Sequence, residues 1–323
     1  MKTIAEFQQH YEKDLKPVLL ELEGWRARIS RKFVRIASAI IIAGGLLIFA
    51  LYLINAPDWL LFITAGLSFV AIMIFYARLT VKFVAEFKRR IVGDIVKYLD
   101  PSLAYSPTGH VTQQQFVASR IFKHQIDRYG GEDCVSGKLD ATAIKFSEIH
   151  AEYKTEHTDS KGRRRTEWHT IFKGLFFIGD FNKNFNGVTV VLPDTAERLF
   201  GFLGNKFQNV FKHHGELVKL EDPEFEKLFV VYGDDQIEAR YILSTSLMRR
   251  IVEFKKKTGY NIYISFVNSN VNVAITTRKN MFEPRIFSTL MDFELAREYF
   301  EDLQLATGIV DDLNLNTRIW TKS

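Results

Sequence analysis

The sequence predicts an α+β protein: an N-terminal transmembrane helical hairpin followed by a cytoplasmic domain of mainly antiparallel strands with flanking helices. Two uncharged apolar runs, residues 36–54 and 59–77, are separated by only four residues. Basic residues flank both runs. After residue 100, alternating segments and turn residues indicate hairpins and not βαβ repeats. These three observations fix the fold class.

The two apolar runs have the length of membrane spans. Each contains 19 residues, within the roughly 17–25 residues that cross a bilayer as a helix. The connection Asn55-Ala56-Pro57-Asp58 is too short to join anything but antiparallel neighbours. The predicted divisions are therefore 1–35, a cytoplasmic amphipathic helix; 36–77, the transmembrane hairpin; 78–99, a cytoplasmic helical extension; and 100–323, a cytoplasmic α+β domain.

Positive charge is concentrated beside the runs. Residues 1–35 hold eight basic and five acidic residues, whereas the part from residue 100 onward holds 29 basic and 30 acidic residues. The net charge of +5 therefore does not indicate nucleic-acid binding. It indicates the positive-inside rule and contact with the lipid bilayer, with both termini cytoplasmic. The predicted membrane-flanking residues are Arg31, Lys32, Arg35, Arg78 and Lys82.

Helical periodicity extends on both sides of the hairpin. Apolar residues recur at three- and four-residue spacing over 3–30, with an interruption at Pro17. This segment could lie on the membrane surface or pack on the rest of the protein. The second span continues as a helix to Asp100-Pro101, followed by a linker over 100–111. A helix is predicted over 113–129, ended by Gly130-Gly131.

The remaining chain is predicted to alternate strands and helices. Strands over 138–154 and 168–181 enclose a long charged tip at 155–167, and a further strand covers 187–192. A helix is expected over 194–212, and strands over 216–220, 225–232 and 236–243. A helix capped by Ser244 or Ser246 and ended by Gly259 precedes a hairpin of strands 260–267 and 271–277. The last predicted element is a helix over 292–307.

Motifs that carry chemistry are missing from the sequence. It contains no HExxH, CxxC, GxxxxGK[ST] or GxSxG pattern, and no GxGxxG after a predicted strand. Cys134 is the single cysteine and follows two acids, which would raise its pKa and not activate it. No catalytic residue, metal or cofactor is predicted. Neither apolar run contains a charged residue, which argues against an ion or proton path.

Two segments of the sequence contain the predicted binding residues. The first is a cationic hairpin tip that could touch anionic lipid, an acidic partner or RNA, or could simply be solvated; its residues are Lys161, Arg163, Arg164 and Arg165. The second is the turn around Phe181 and Phe185. These rings either form an exposed contact surface or fold inward.

Several stretches carry a family resemblance. They are Ser136-Gly137-Lys138, the run from Trp168 to Phe177, the run from Asp180 to Phe185, and the sequence VYGDDQIEARY from Val231 to Tyr241. With the N-terminal hairpin, they resemble a bacterial domain-of-unknown-function family of two-span inner-membrane proteins. Members are often encoded beside LemA-type membrane proteins, which implies a LemA-type partner. The family has no established activity, so the resemblance implies no catalytic residues.

The sequence thus favours a membrane-anchored interaction or scaffold protein that presents an α+β domain at the cytoplasmic face. Its expected partners are the bilayer and a LemA-type membrane protein or a second copy of the chain. One alternative is a membrane-surface enzyme with an unrecognised site, built from His150, His169, Asp180 and Glu238 on predicted strands. Another is an accessory subunit of a transporter.

Overall fold

The computed structural model describes residues 2–158, 163–181, 183–194, 215–277 and 279–316. The chain divides into two compact units. The first, the helical unit, comprises Lys2–Ile95 and Phe282–Phe300. The second, the sheet unit, comprises Val96–Met281 and the chain from Glu301 onward. The predicted helix over 194–212, apart from its first residue, lies outside the described residues.

Two long helices dominate the helical unit. Helix α1 covers Ile4–Leu53 and α2 covers Asp58–Leu99, which is 50 and 42 residues. At about 1.5 Å per residue, both are far longer than the roughly 30 Å of a bilayer core. Each contains one π turn, at Tyr11–Leu15 in α1 and at Lys88–Val92 in α2. The first π turn directly precedes Pro17, so the helix accommodates the proline without the break that its sequence suggested.

The N-terminal part of α1 packs on protein. The Phe7 ring stacks on the Phe300 ring with centroids 4.2 Å apart. The Tyr11 hydroxyl donates a hydrogen bond of 2.9 Å to the Met291 carbonyl oxygen. Both side chains are fully buried. Of the two interpretations of this segment, packing on the protein is the correct one.

The sheet unit contains one nine-stranded, fully antiparallel sheet, which confirms the predicted α+β class. Its strands are β1 Ala104–Ser106, β2 Arg128–Leu139, β3 Thr142–Thr158, β4 Arg164–Asp180, β5 Thr189–Pro193, β6 Glu216–Val218, β7 Phe229–Gly233, β8 Ile262–Val267 and β9 Asn270–Thr276. Their order is β1-β2-β3-β4-β9-β8-β5-β7-β6. The remaining helices of the described residues are α3 Gln113–Ala118, α4 Pro223–Glu226, α5 Gln236–Ile242, α6 Thr245–Thr258 and α7 Phe293–Asp312, and the first eight residues of α7 belong to the helical unit.

The first half of the sheet corrects several predicted boundaries. Strand β1 lies inside the segment predicted as a linker. Helix α3 ends at Ala118, and Gly130 and Gly131 lie within β2 instead of ending a helix. The predicted strand 138–154 is divided by a turn at residues 140–141, where Asp140 has a φ of 50°. The predicted charged tip over 155–167 is mostly paired, since β3 extends to Thr158 opposite Arg164.

The second half contains both correct and wrong predictions. The hairpin β8–β9 is confirmed, with Asn268 and Ser269 at positive φ as a two-residue type I′ turn requires. Helix α6 is also confirmed: Ser244 caps it and Gly259 ends it with a φ of 69°. The predicted strand 236–243 is wrong, because the Asp235 carboxylate accepts hydrogen bonds from two backbone N–H groups and starts α5. The predicted strand 225–232 begins only after α4.

One hydrophobic cluster occupies a face of the sheet. Phe116 of α3 packs against Phe172 and Phe176 of β4, with ring centroids 5.9 and 4.9 Å away. The Ser119 carbonyl accepts a hydrogen bond of 2.6 Å from the Ser265 hydroxyl on β8. Burying several aromatic rings in one place accounts for the position of α3, since each ring contributes about 1.5–3 kcal/mol when removed from water. Buried residues of this cluster are Val111, Phe116, Ile121, Ile149, Ala151, Phe172, Phe176 and Ala274.

Candidate functional site

The hairpin helices carry a continuous apolar surface. Both helices are long and apolar enough to cross a membrane, and almost none of their apolar segments is buried within the protein. Phe62 is 77% exposed and Leu46 is 65% exposed. A core helix of a soluble protein would bury such side chains, because leaving each in water forgoes about 1.5–3 kcal/mol. Further exposed apolar residues of this surface are Ile41, Ile42, Leu47, Phe49, Leu67, Phe69, Val70 and Met73.

The helices approach each other closely through small residues. A Cβ atom added to Gly44 would lie 2.6 Å from the Ser68 hydroxyl oxygen, whereas one added to Gly45 would meet nothing within 4 Å. The Thr64 and Ser68 hydroxyls donate to carbonyl oxygens one turn earlier in their own helix. The polar groups of the hairpin are thus satisfied within a helix, as a lipid environment demands.

Aromatic rings lie at one end of the apolar surface. Phe33, Tyr76 and Phe287 have ring centroids 5.3–6.0 Å apart. The segment that carries Phe287 is held against α1, because Arg26 donates to the Ile286 carbonyl oxygen at 2.8 Å and Glu23 accepts from the backbone N–H of Leu290. Aromatic side chains at this position are typical of a membrane–water interface.

The basic residues predicted to flank the membrane are close to these rings in the sequence. Arg31, Lys32 and Arg35 of α1 and Arg78 and Lys82 of α2 are all exposed. In the part of the chain that the structure describes, none of the five forms an ion pair with a carboxylate.

Two basic residues farther along α2, Arg89 and Arg90, are paired instead. Arg90 binds Glu21 at 2.7 Å and Arg89 binds Glu86 at 2.6 Å. The hydrogen bond from Arg90 lowers the pKa of the Glu21 carboxyl, and the hydrogen bond from Arg89 lowers that of Glu86.

The predicted cationic tip is partly described. Lys161 lies outside the described residues. Arg164 starts β4, and Arg165 is largely exposed and pairs with Glu167 at 3.3 Å. Because β3 and β4 stay paired to Thr158 and Arg164, this positive charge sits at the end of an ordered hairpin and not on the long loop predicted over 155–167.

Of the two interpretations of the turn around Phe181 and Phe185, inward folding is the correct one. Their side chains are only 6% and 4% exposed. Both rings contact Phe266 of β8, with centroids 5.0 and 6.4 Å away. The turn therefore folds inward, because two aromatic rings gain more from the core than from water. These residues cannot offer an exposed contact surface.

The four residues of the enzyme alternative are not brought together. His150 is paired with Lys173 of β4, and Asp180 lies seven residues farther along that strand. At about 3.3 Å per residue this is roughly 23 Å. His169 bonds Thr155, and Glu238 lies on α5, where its carboxylate accepts from two backbone N–H groups. General acid–base catalysis needs hydrogen-bond reach, which this set lacks.

An acidic cluster on β2 and β3 was not predicted from the sequence. Glu132, Asp133 and Glu148 have carboxylate oxygens within 4.8 Å of one another. A bulge in β2 brings the three carboxylates together. Asp133 has a φ of 59° at this bulge, and the neighbouring Glu132 is paired directly with Glu148 of β3. The cluster borders a cleft of about 330 Å³ that His150 and Lys173 also line.

Protein groups already bind two of these carboxylates. The Tyr105 hydroxyl donates to Asp133, and the backbone N–H of Met281 donates to Glu148 at 2.8 Å. We therefore assign no cation to the cluster. Nearby Cys134 is buried, and burial raises its thiol pKa. The direction is as predicted, although burial and not the local acids causes it.

One protein-family model matches part of the chain. The family model DUF3137, described as a protein of unknown function, matches residues 170–315. A DUF3137 domain covers this part of the chain. It includes two of the stretches quoted above, most of a third, most of β4, and all of β5 to β9. No curated protein matches the chain significantly.

One solved structure resembles the chain weakly. It is the crystal structure of the mycobacterial trehalose monomycolate transport factor A, with 12% sequence identity over 67% of this chain and 94% of that chain. The TM-score is 0.32. At this value the likeness carries no argument about fold or function.

Proposed function

We propose that the chain is a membrane-anchored interaction or scaffold protein of a bacterial inner membrane. Helices α1 and α2 cross the bilayer as a hairpin, and the sheet unit and both termini lie on the cytoplasmic side. The observation that carries this proposal is the exposed apolar surface of both helices, which ends at unpaired basic residues on one side only. The turn at the other end contains no basic residue.

The partner in this proposal is a LemA-type membrane protein or a second copy of the chain. The family resemblance supports the first. Arg163, Arg164 and Arg165 provide a positively charged contact region at the end of the β3–β4 hairpin, where Arg165 is well exposed.

Cysteine labelling tests the topology. Cys134 is the single cysteine and is buried, so a Cys134→Ser background is cysteine-free. Asn55→Cys places one thiol in the hairpin turn, and Tyr260→Cys places one on the exposed surface of the sheet unit. In intact spheroplasts, a membrane-impermeant maleimide should label Asn55→Cys at once and Tyr260→Cys only after permeabilisation. The reverse pattern would refute the orientation, and release of the protein by alkaline carbonate would refute the anchor.

Crosslinking in native membranes tests the partner. A stoichiometric membrane protein or a second copy should be recovered with the wild-type chain. Charge reversal of Arg163, Arg164 and Arg165 to Glu should reduce this recovery. Reversal of Lys219, Lys227 and Arg249 to Glu changes the same charge elsewhere on the sheet unit, at exposed residues that form no ion pair within the described part of the chain, and should leave recovery intact. Equal recovery with both variants would remove the hairpin end from the proposal.

A further inference from the structure

A basic groove lies between α1 and α2 at the end of the apolar surface. Residues from α1 line it at three- and four-residue spacing, and residues from α2 complete it. They are Trp25, Arg28, Ile29, Lys32, Arg78, Leu79 and Lys82. Its volume of about 370 Å³ is at the lower end of the roughly 300–1,000 Å³ typical of small-ligand sites.

The groove combines apolar walls with converging cations. The Trp25 ring packs edge-on against Phe83, with centroids 5.5 Å apart, so one wall is fixed. Ile29 is buried. Two cationic side chains come from each helix, and the antiparallel arrangement of the hairpin places them around one concave surface. Such a surface is shaped for a ligand that is apolar on one side and anionic on the other.

The four cations of the groove have no protein counter-charge. Among the described residues, none of Arg28, Lys32, Arg78 and Lys82 forms an ion pair. The sequence explains this, since it contains no acidic residue between Glu23 and Asp58 or between Asp58 and Glu86. Four like charges around one groove repel one another, and an anion bound between them would relieve that repulsion.

We propose that this groove binds the phosphate headgroup of an anionic phospholipid, with its acyl chains along the exposed apolar surface of the hairpin. The inference rests on the proposed membrane anchor and goes beyond it by naming a ligand and its site. Basic pockets between membrane helices on the cytoplasmic side are the physical type of site that binds acidic lipid headgroups.

Two arginine pairs give a matched test. Arg28→Gln with Arg78→Gln removes two cations from the groove. Arg31→Gln with Arg35→Gln removes two cations from the same flank, but neither residue lines the groove. Arg28 and Arg31 each donate from Nε to the carbonyl oxygen four residues earlier, so their local helix contacts are alike. General attraction to a negative surface would therefore respond equally to both changes.

The binding measurement is native mass spectrometry of the full-length protein in detergent. The probes are phosphatidylglycerol, phosphatidylcholine and inorganic phosphate. We expect one phosphatidylglycerol to bind in preference to phosphatidylcholine. With about fivefold per cation near an anionic headgroup, the groove variant should bind it about 25-fold more weakly, and the flank variant about as well as the wild type. Inorganic phosphate should not displace the lipid at equal concentration, because it lacks the acyl chains.

The outcomes separate the failure of this inference from that of the anchor. Equal weakening in both variants, or no preference for phosphatidylglycerol, would overturn the groove site. Displacement by inorganic phosphate would assign the groove to a free phosphate compound and overturn the lipid assignment. The Asn55→Cys labelling, repeated in each variant, reports insertion independently of binding. Equal melting temperatures of both variants would show that lost binding reflects the groove and not the fold.

Discussion

Gly131 on β2 allows a specific test of the sheet. A Cβ atom added there would lie 2.4 Å from the Glu148 carbonyl oxygen, 2.7 Å from the Ile149 side chain and 2.9 Å from the His110 side chain. The carbonyl oxygen cannot move away easily, because β3 is paired with β2 on one side and with β4 on the other. Gly130, one residue earlier, would meet nothing within 4 Å.

The two neighbouring glycines should therefore respond in opposite directions to alanine. Gly131→Ala forces a backbone shift and should lower the free energy of unfolding by about 2–3 kcal/mol, the upper part of the range of about 1–3 kcal/mol for overpacking. Gly130→Ala should raise it by about 0.4–1 kcal/mol, because alanine restricts the unfolded chain.

Thermal unfolding of the purified full-length protein measures this difference. For a unit of this size, 1 kcal/mol corresponds to about 2–4 °C in Tm. We expect Tm to fall by about 4–12 °C for Gly131→Ala and to rise by about 1–4 °C for Gly130→Ala. Equal shifts in both variants would refute the close approach of β2 and β3 at this point, and with it the register that forms the acidic cluster.

Three further predictions concern other contacts. The Lys88 side chain is 2% exposed and pairs with Glu283 at 2.6 Å, so Glu283→Gln should lower the free energy of unfolding by about 2–4 kcal/mol. Glu12→Gln breaks an exposed ion pair and should change the free energy of unfolding by less than about 0.5 kcal/mol. Denaturant unfolding measures both changes. Gly44→Leu should separate the hairpin helices and lower Tm in detergent, whereas Gly45→Leu faces open space and should not; equal effects would contradict the contact. Burial lowers the pKa of Lys123 to about 8, so the folded state releases this proton before the unfolded state and stability should rise between pH 8 and 10.5. Lys123→Met should remove the part of this rise that Lys123 causes. It should also stabilise the protein at pH 7 by about 1 kcal/mol, a value reduced because the Lys123 side chain is partly exposed. A Tm–pH profile identical to that of the wild type would refute the lowered pKa of Lys123.

Local patterns in the sequence were sufficient for the hairpin helices, for α6 and for β8–β9. Each of these elements has its own periodicity, cap or two-residue turn, so neighbouring residues alone determine it. The basic flanks could also be located, because charge beside an apolar run is a property of the sequence itself.

Features that depend on distant pairing could not be predicted. Gly130-Gly131 resembles a helix terminator, and only the approach of β3 explains why a strand needs glycine there. Asp235 reads as a turn residue until its carboxylate is seen to cap α5. The acidic cluster requires the bulge that sets Glu132 opposite Glu148. The groove requires the mutual register of two helices about 50 residues apart in sequence.

The π turns have a consequence for the orientation of side chains along each helix. A π turn inserts one residue into an α-helix, and one residue corresponds to about 100° of rotation. The turn at Tyr11–Leu15 therefore fixes the angle between the direction of Phe7 and that of the apolar residues farther along α1. Deleting one residue from this turn would rotate the Phe7 ring away from Phe300. Each π turn thus sets the angular offset between the protein-packed part and the exposed apolar part of its helix.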